Sequence, residues 1–299
     1  MLWIPVTIFA AAAQTVRNAA QRSLVSELGT LGATLVRFLY GLPFAIAWAV
    51  AVVLFTGVRL PLMSASFGAW VLGGALAQIA ATALLLQTMR ERNFAIGVAY
   101  SKTELVQVAL FSLVLLGDGL DARLGFAVAC GMAGVLMLSP ADKAHPWRSM
   151  ATGFASRSAL LGIGSGAGFA LSAVAFRGAI QQLDVPSQVV AASLTLVVAQ
   201  ALQTLLLGGW LMARSPDVVQ RTLRAWRRSL FAGAMGAAAS AGWFTAFALV
   251  SATKVRTLGL VEILFSYAVS RKLFREQLSR REIAGIVLLT AGALLAALG

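Results

Sequence analysis

Ten apolar stretches follow one another along this chain, near 3–21, 31–56, 67–88, 94–116, 124–138, 159–178, 187–212, 229–250, 255–273 and 283–298. A soluble helix must turn a polar face to water, and these runs have none wide enough. Their length suits the hydrocarbon core of a bilayer, which takes about 20 residues of helix. Continuous runs rich in Ala, Leu and Gly favour helices, whereas a transmembrane barrel would alternate apolar and polar residues in segments of about ten. Charge agrees, because only 12% of residues are charged and 59% are hydrophobic, and a soluble domain carries about twice that charge. The expected fold is an all-α membrane protein with ten transmembrane helices.

Several chemistries are disfavoured at once. The lone cysteine, Cys130, lies in an apolar run, so the chain forms no internal disulfide and has no Cys-rich metal site. The lone histidine, His145, sits in a polar link, which argues against a His-based metal centre and His-based acid/base catalysis. A net charge of +13 would suggest nucleic acid for a soluble protein, but here it is read as basic cytoplasmic loops and no nucleic-acid partner. The first run begins at Leu2 with no preceding Lys or Arg and is interrupted by Gln14, Arg17 and Asn18, so it is read as a first span and not a cleaved signal.

Basic residues set the orientation. With both termini on one side, that side holds Arg59, Arg123, Lys254 and Arg256 in its loops, whereas the opposite loops hold fifteen Lys and Arg between Arg90 and Arg281. The basic side is expected to be cytoplasmic, which puts both termini outside, or in the periplasm of a bacterial inner membrane.

An internal repeat is written over this pattern. The segment TELVQVALFSLVLLGDGLDARLG from Thr103 compares with VEILFSYAVSRKLFREQLSRREIAG from Val261. At an offset of 158, Glu104 lies over Glu262, Asp118 over Glu276, Leu120 over Leu278 and Arg123 over Arg281; Arg17 lies over Arg177 at 160. Five spans per copy is odd, so the second copy must be inverted. Equivalent loops agree, since the loop after the second span has Arg59 alone and its counterpart after the seventh has five arginines. The expected organisation is a first five-helix repeat at 1–138, a cytoplasmic linker at 139–158 and an inverted second repeat at 159–299. Inverted repeats are a signature of secondary transporters, with the substrate near the midplane where the repeats meet.

These residues resemble the drug/metabolite transporter superfamily, in its ten-helix EamA-type branch. There each half has a span opening like LEPV, an acid about fourteen positions after its Glu, and a Gly-rich last span. Glu104 with Asp118, Glu262 with Glu276, and the final spans GFAVACGMAGVLML and GIVLLTAGALLAALG carry the match. The proline is replaced by Leu105 and Ile263, which puts a break in those two helices in doubt. Within the superfamily the chain looks most like the exporters of amino acids, aromatic ones included. Small multidrug pumps of the same superfamily are similar in using a Glu in the first span, which is absent here.

Polar side chains inside spans are costly and are functional candidates by default. Helical spacing aligns Gln14, Arg17 and Asn18 in the first span, Gln78 and Thr82 in the third, Tyr100, Thr103, Glu104 and Gln107 in the fourth, Trp243 and Phe244 in the eighth, and Glu262 and Ser266 in the ninth. Each has a plainer reading beside the functional one: helix-to-helix hydrogen bonds for the first-span stripe, packing for the aromatics, and structural ion pairs for the two Glu. Lys102 points away from Glu104 at helical spacing and reads as a salt-bridge residue, Arg37 as a snorkelling residue, and Asp118 and Glu276 as caps or loop contacts. The glycines of GIGSGAG at 162–168 lack the strand and the GK[ST] of a phosphate loop, and they read as close helix contacts that would also let the span bend. The resulting expectation is a secondary transporter without cofactor that exports small metabolites, most plausibly amino acids, by alternating access, with a proton or no coupling ion. Drugs, nucleobases and sugar derivatives are the alternative substrates, and an intramembrane enzyme or a channel the alternative classes.

Overall fold

A computed structural model describes residues 1–91, 94–119, 122–138, 157–275 and 280–297. Among these, every regular element is helical and none is a strand. The helices are α1 (Trp3–Leu39), α2 (Leu42–Thr56), α3 (Ala65–Glu91), α4 (Phe94–Ser101), α5 (Glu104–Leu116), α6 (Ala122–Leu138), α7 (Arg157–Gln181), α8 (Gln188–Arg214), α9 (Pro216–Arg224), α10 (Trp226–Leu249), α11 (Ala252–Leu258), α12 (Glu262–Lys272) and α13 (Arg280–Ala297), with a 3₁₀ turn at Gly259–Val261 between α11 and α12. Among the described residues, five stretches are long and apolar enough to cross a membrane: Trp3–Thr56, Ala65–Glu91, Arg157–Gln181, Gln188–Arg214 and Trp226–Leu249. The link at 139–156, with His145, lies outside the described residues, as does Glu276.

The first polar gap, near 22–30, is helical almost throughout and turns at one residue. Gly29 has φ 71° and ψ 172°, a conformation closed to residues with a side chain at little cost. The segments on either side cannot run on in line. Arg17 and Arg37 both touch Gly236, whereas twenty residues of straight helix would hold them about 30 Å apart. Segments 3–28 and 30–39 therefore fold back as a hairpin, tied by Gln21, whose Nε2 donates to the Ala33 carbonyl at 2.7 Å. Pro43, near the start of α2, costs no helical hydrogen bond there.

Small residues bring the helices together. The most extensive pairings are α1 with α10, α3 with α7, and α6 with α13. Gly242 of α10 packs on Ala10 of α1, and Gly168 of α7 packs on Ala77 and Ala81 of α3. Without a hydrophobic force between helices in lipid, such close backbone approach supplies the dispersion contact that holds the bundle. Helix α7 runs unbroken through 162–168, and its glycines there lie against neighbouring helices. Outward faces are apolar: α2 buries Ala45, Ala49 and Val52 while exposing Phe44, Ile46, Trp48, Val50, Leu54 and Phe55. Water would penalise that surface, and acyl chains match it.

Candidate functional site

Two helices break where the sequence has no proline. Between α4 and α5, Lys102 and Thr103 form a turn in which the Thr103 N–H reaches the Tyr100 carbonyl at 3.3 Å and the Leu105 N–H reaches Lys102 at 3.2 Å. The other break is the 3₁₀ turn at Gly259–Val261, and at the offset of 158 the two coincide. Each break ends in a glutamate: Glu104 opens α5 and Glu262 opens α12, where the positive end of a helix dipole favours a carboxylate. Glycine makes the first turn possible. A Cβ on Gly166 of α7 would lie 2.7 Å from the Ser101 carbonyl oxygen, so only a bare backbone fits under it.

Around these glutamates runs one buried network. Glu262 accepts from Gln14 Nε2 at 2.7 Å, from Asn18 Nδ2 at 3.1 Å and from Lys102 Nζ at 2.5 Å. Arg17 donates to Asn18 Oδ1 at 2.7 and 3.2 Å, and Trp243 Nε1 donates to Gln14 Oε1 at 2.9 Å. Lys102 also meets Glu104 Oε1 at 3.4 Å, and Arg256 Nη1 lies 3.8 Å from the same oxygen. The Arg256 guanidinium stands over the rings of Trp243 (4.7 Å) and Phe247 (5.2 Å), within range of the cation–π attraction. Every member is buried, the most exposed being Gln14 at 5%. Buried ion pairs hold only when both charges are hydrogen-bonded, a condition this network meets for both oxygens of Glu262.

A second polar layer adjoins it. Arg37 donates from Nη1 to Thr82 Oγ1 at 2.8 Å, and Gln203 Nε2 donates to Gln78 Oε1 at 2.8 Å. Gln200 lies beside Gly41 with neither amide atom bonded. An open cavity of about 630 Å³ lies elsewhere, around the Gly29 turn, with Arg22, Glu27, Arg90 and Arg221 in its wall.

The expected residues divide accordingly. Gln14, Arg17, Asn18, Glu104, Trp243 and Glu262 form the network, and Gln78 and Thr82 the second layer. Tyr100 packs on Gly162, and Thr103 donates to the Tyr100 carbonyl at 3.0 Å. Phe244 faces Phe176 at 4.6 Å inside the apolar core, Ser266 is buried with no partner for its hydroxyl, and Gln107 is half-buried outside the network. Three cations stand differently from their sequence reading. Lys102 reaches both glutamates, because a turn and not a helix carries it. Arg37 does not snorkel but is 2% exposed. Arg256, read as a loop residue, is buried in α11. Asp118 pairs with Arg177 at 3.4 Å, and Arg177 also donates to the Phe247 and Val250 carbonyls at 2.6 Å each.

Comparison with known proteins bears on this geometry. The model of the EamA-like transporter family matches residues 156–298. The matched residues are just under half of the chain. With the apolar helices, this match supports a multi-pass membrane protein and indicates a membrane transporter of the drug/metabolite type with a small-molecule substrate. It also supplies the second half of the network: Trp243, Arg256 and Glu262 lie inside it, and their partners Gln14, Lys102 and Glu104 lie before it. No curated protein matches the chain. One crystal structure of a protein matches with a TM-score of 0.65 at 17% identity, covering 98% of this chain and 96% of that one, a likeness of fold alone.

Proposed function

We propose that this protein is a secondary transporter that exports small charged metabolites, amino acids with aromatic members among them, by alternating access across a bacterial inner membrane. Its ten spans form two inverted halves, 1–138 and 159–299, joined by a cytoplasmic linker at 139–158. The observation that carries this reading is the buried network, which joins the two broken helices and draws its charges from both halves. An amino acid presents a carboxylate, an ammonium and an apolar body. Arg17 and Arg256 suit the first, Glu104 and Glu262 the second, and Trp243 with Phe247 the third. The matched pairings of α1 with α10 and α3 with α7, and the matched breaks, support the inverted repeat. Transport is driven by a proton or by the substrate's own gradient.

Reconstituted protein should take up amino acids into proteoliposomes. Trp243→Ala removes an indole that stacks under Arg256 and holds Gln14, so initial rates for aromatic substrates should fall roughly 3- to 10-fold and those for small ones less. Glu104→Gln should slow every substrate, since it deletes a charge shared by Lys102 and Arg256. Unchanged rates in both variants would remove the network from transport. Failure of the parent protein to move any amino acid would shift the substrate to a nucleobase, a sugar derivative or a drug.

Orientation has its own check. A fluorescent protein that matures only in the cytoplasm should stay dark when fused after Gly299, and bright when inserted in the 139–158 linker. The reverse pattern would invert the topology.

A further inference from the structure

The buried centre carries more positive than negative charge. Arg17, Arg37, Lys102 and Arg256 are each at most 4% exposed, and the carboxylates among them are Glu104 and Glu262. The other acidic side chains described are engaged elsewhere or exposed. Glu27 pairs with Arg228, Glu91 with Arg157, Asp118 with Arg177 and Asp217 with Arg221, and Asp184 is exposed. Two cations are therefore left without a matching anion among the described residues. Their placement shows which. Lys102 bridges both glutamates, whereas Arg37 hydrogen-bonds only the neutral Thr82, and Arg17 hydrogen-bonds the neutral Asn18 and feels Glu262 without an ion-pair contact. Arg256 meets a carboxylate at the long distance of 3.8 Å.

The three guanidinium groups also keep unused donors. Among the described residues, Arg17 Nη1, Arg37 Nε and Arg256 Nε are buried without an acceptor, and both amide atoms of Gln200 beside Gly41 are likewise unbonded. The arginines are neighbours: Gly236 touches Arg17 and Arg37, and Arg37 feels the charges of Arg17 and Arg256 more than that of Glu262. Like charges held together in a low-dielectric interior repel strongly, and an N–H without a partner there keeps its full desolvation penalty. Both penalties fall when an anion enters, and planar guanidinium groups match a carboxylate in geometry as well as charge.

We propose that the centre is a site for a small organic anion. Its carboxylate lies between Arg17, Arg37 and Arg256, and an apolar or aromatic body lies against Trp243 and Phe247. This rests on the reading of the network as the substrate centre and narrows it. A neutral zwitterion brings its own cation and leaves the excess charge uncorrected, so substrates of net negative charge are preferred to neutral ones of the same shape.

The test uses four probes that share a phenyl body: 3-phenylpropionate (anion), L-phenylalanine (zwitterion), phenethylamine (cation) and phenyl phosphate (a different anionic head). Binding to the purified full-length protein is read by calorimetry and by the shift in melting temperature. 3-Phenylpropionate should bind at least ten-fold tighter than L-phenylalanine, and phenethylamine should not bind. Arg37→Gln should weaken 3-phenylpropionate ten-fold or more, and Arg37→Lys should recover part of the loss. If L-phenylalanine binds as well as 3-phenylpropionate, the anion assignment fails while the transporter reading stands on its uptake data. Tighter binding of phenyl phosphate overturns the carboxylate head. Unchanged affinity in a folded Arg37→Gln protein overturns the arginine site, and so does binding by none of the four. Should Arg37→Gln not fold, the charge series on the parent protein decides alone.

Discussion

Lys102→Met is expected to melt far below the parent protein. The substitution keeps a flexible apolar stem of similar length and removes the charge that bridges Glu104 and Glu262. Glu262 would then lose its ion-pair partner while Glu104 keeps Arg256 at 3.8 Å, and stranding one partner of a buried pair costs about 3–5 kcal/mol. Glu262 would keep Gln14 and Asn18, so its neutral donors remain and the loss reports the charge. Thermal unfolding in detergent, followed by tryptophan emission, measures it. Adding Glu262→Gln to Lys102→Met should return part of the lost stability, because the second change removes the charge left unpaired. If the double variant loses the sum of the two single losses, the residues are not coupled and the 2.5 Å contact is energetically idle.

The helices were legible because lipid imposes long apolar runs, and each expected stretch is helical over most of its described residues. Gln14, Arg17, Asn18, Glu104 and Glu262 were legible because a polar group in an apolar run stands out. What was hidden is instructive. Lys102 was aimed away from Glu104 by counting 100° per residue, and that count fails at a turn which no proline or glycine in 101–103 announces. The cause lies 63 positions on, at Gly166, whose missing side chain leaves room for the Ser101 carbonyl. Arg37 and Arg256 resemble interfacial residues in sequence because each falls near the end of an apolar run. Only the Gly29 hairpin, which carries Arg37 back to Arg17 at Gly236, and the packing of Trp243 under Arg256 put them in the interior.

Gly166→Val should abolish transport and destabilise the fold. A Cβ there would meet the Ser101 oxygen at 2.7 Å, Thr103 Oγ1 at 2.9 Å and the Glu104 nitrogen at 3.0 Å. Two of those atoms are backbone and cannot swing aside, so α7 must withdraw or the turn must move. Overpacking of this kind costs roughly 1–3 kcal/mol, and a β-branched residue sits at the upper end. The displaced turn carries Lys102 and Glu104, so uptake should fall well over ten-fold even in the fraction that folds. Gly164→Ala is the internal control, since its Cβ would meet only Leu84 Cδ1 at 3.4 Å, and it should keep parental uptake and melting. Similar behaviour of the two variants would show that α7 tolerates side chains along its length and that the turn does not depend on Gly166.

The composition of the shell around Glu262 also constrains how this lineage can change. All three of its donors, Gln14, Asn18 and Lys102, lie before residue 139, while the position that corresponds to Lys102 in the later segment holds Leu260. On the proposed repeat the two segments therefore differ at this position, and they are not interchangeable parts. A single codon change at 102 or at 262 passes through a protein with a stranded buried charge, and each position therefore holds the other in place. Descendants that exchange this pair for another are expected to have altered both sites together, and chimaeras that join one relative's first segment to another's second are expected to fail wherever the two parents chose different partners.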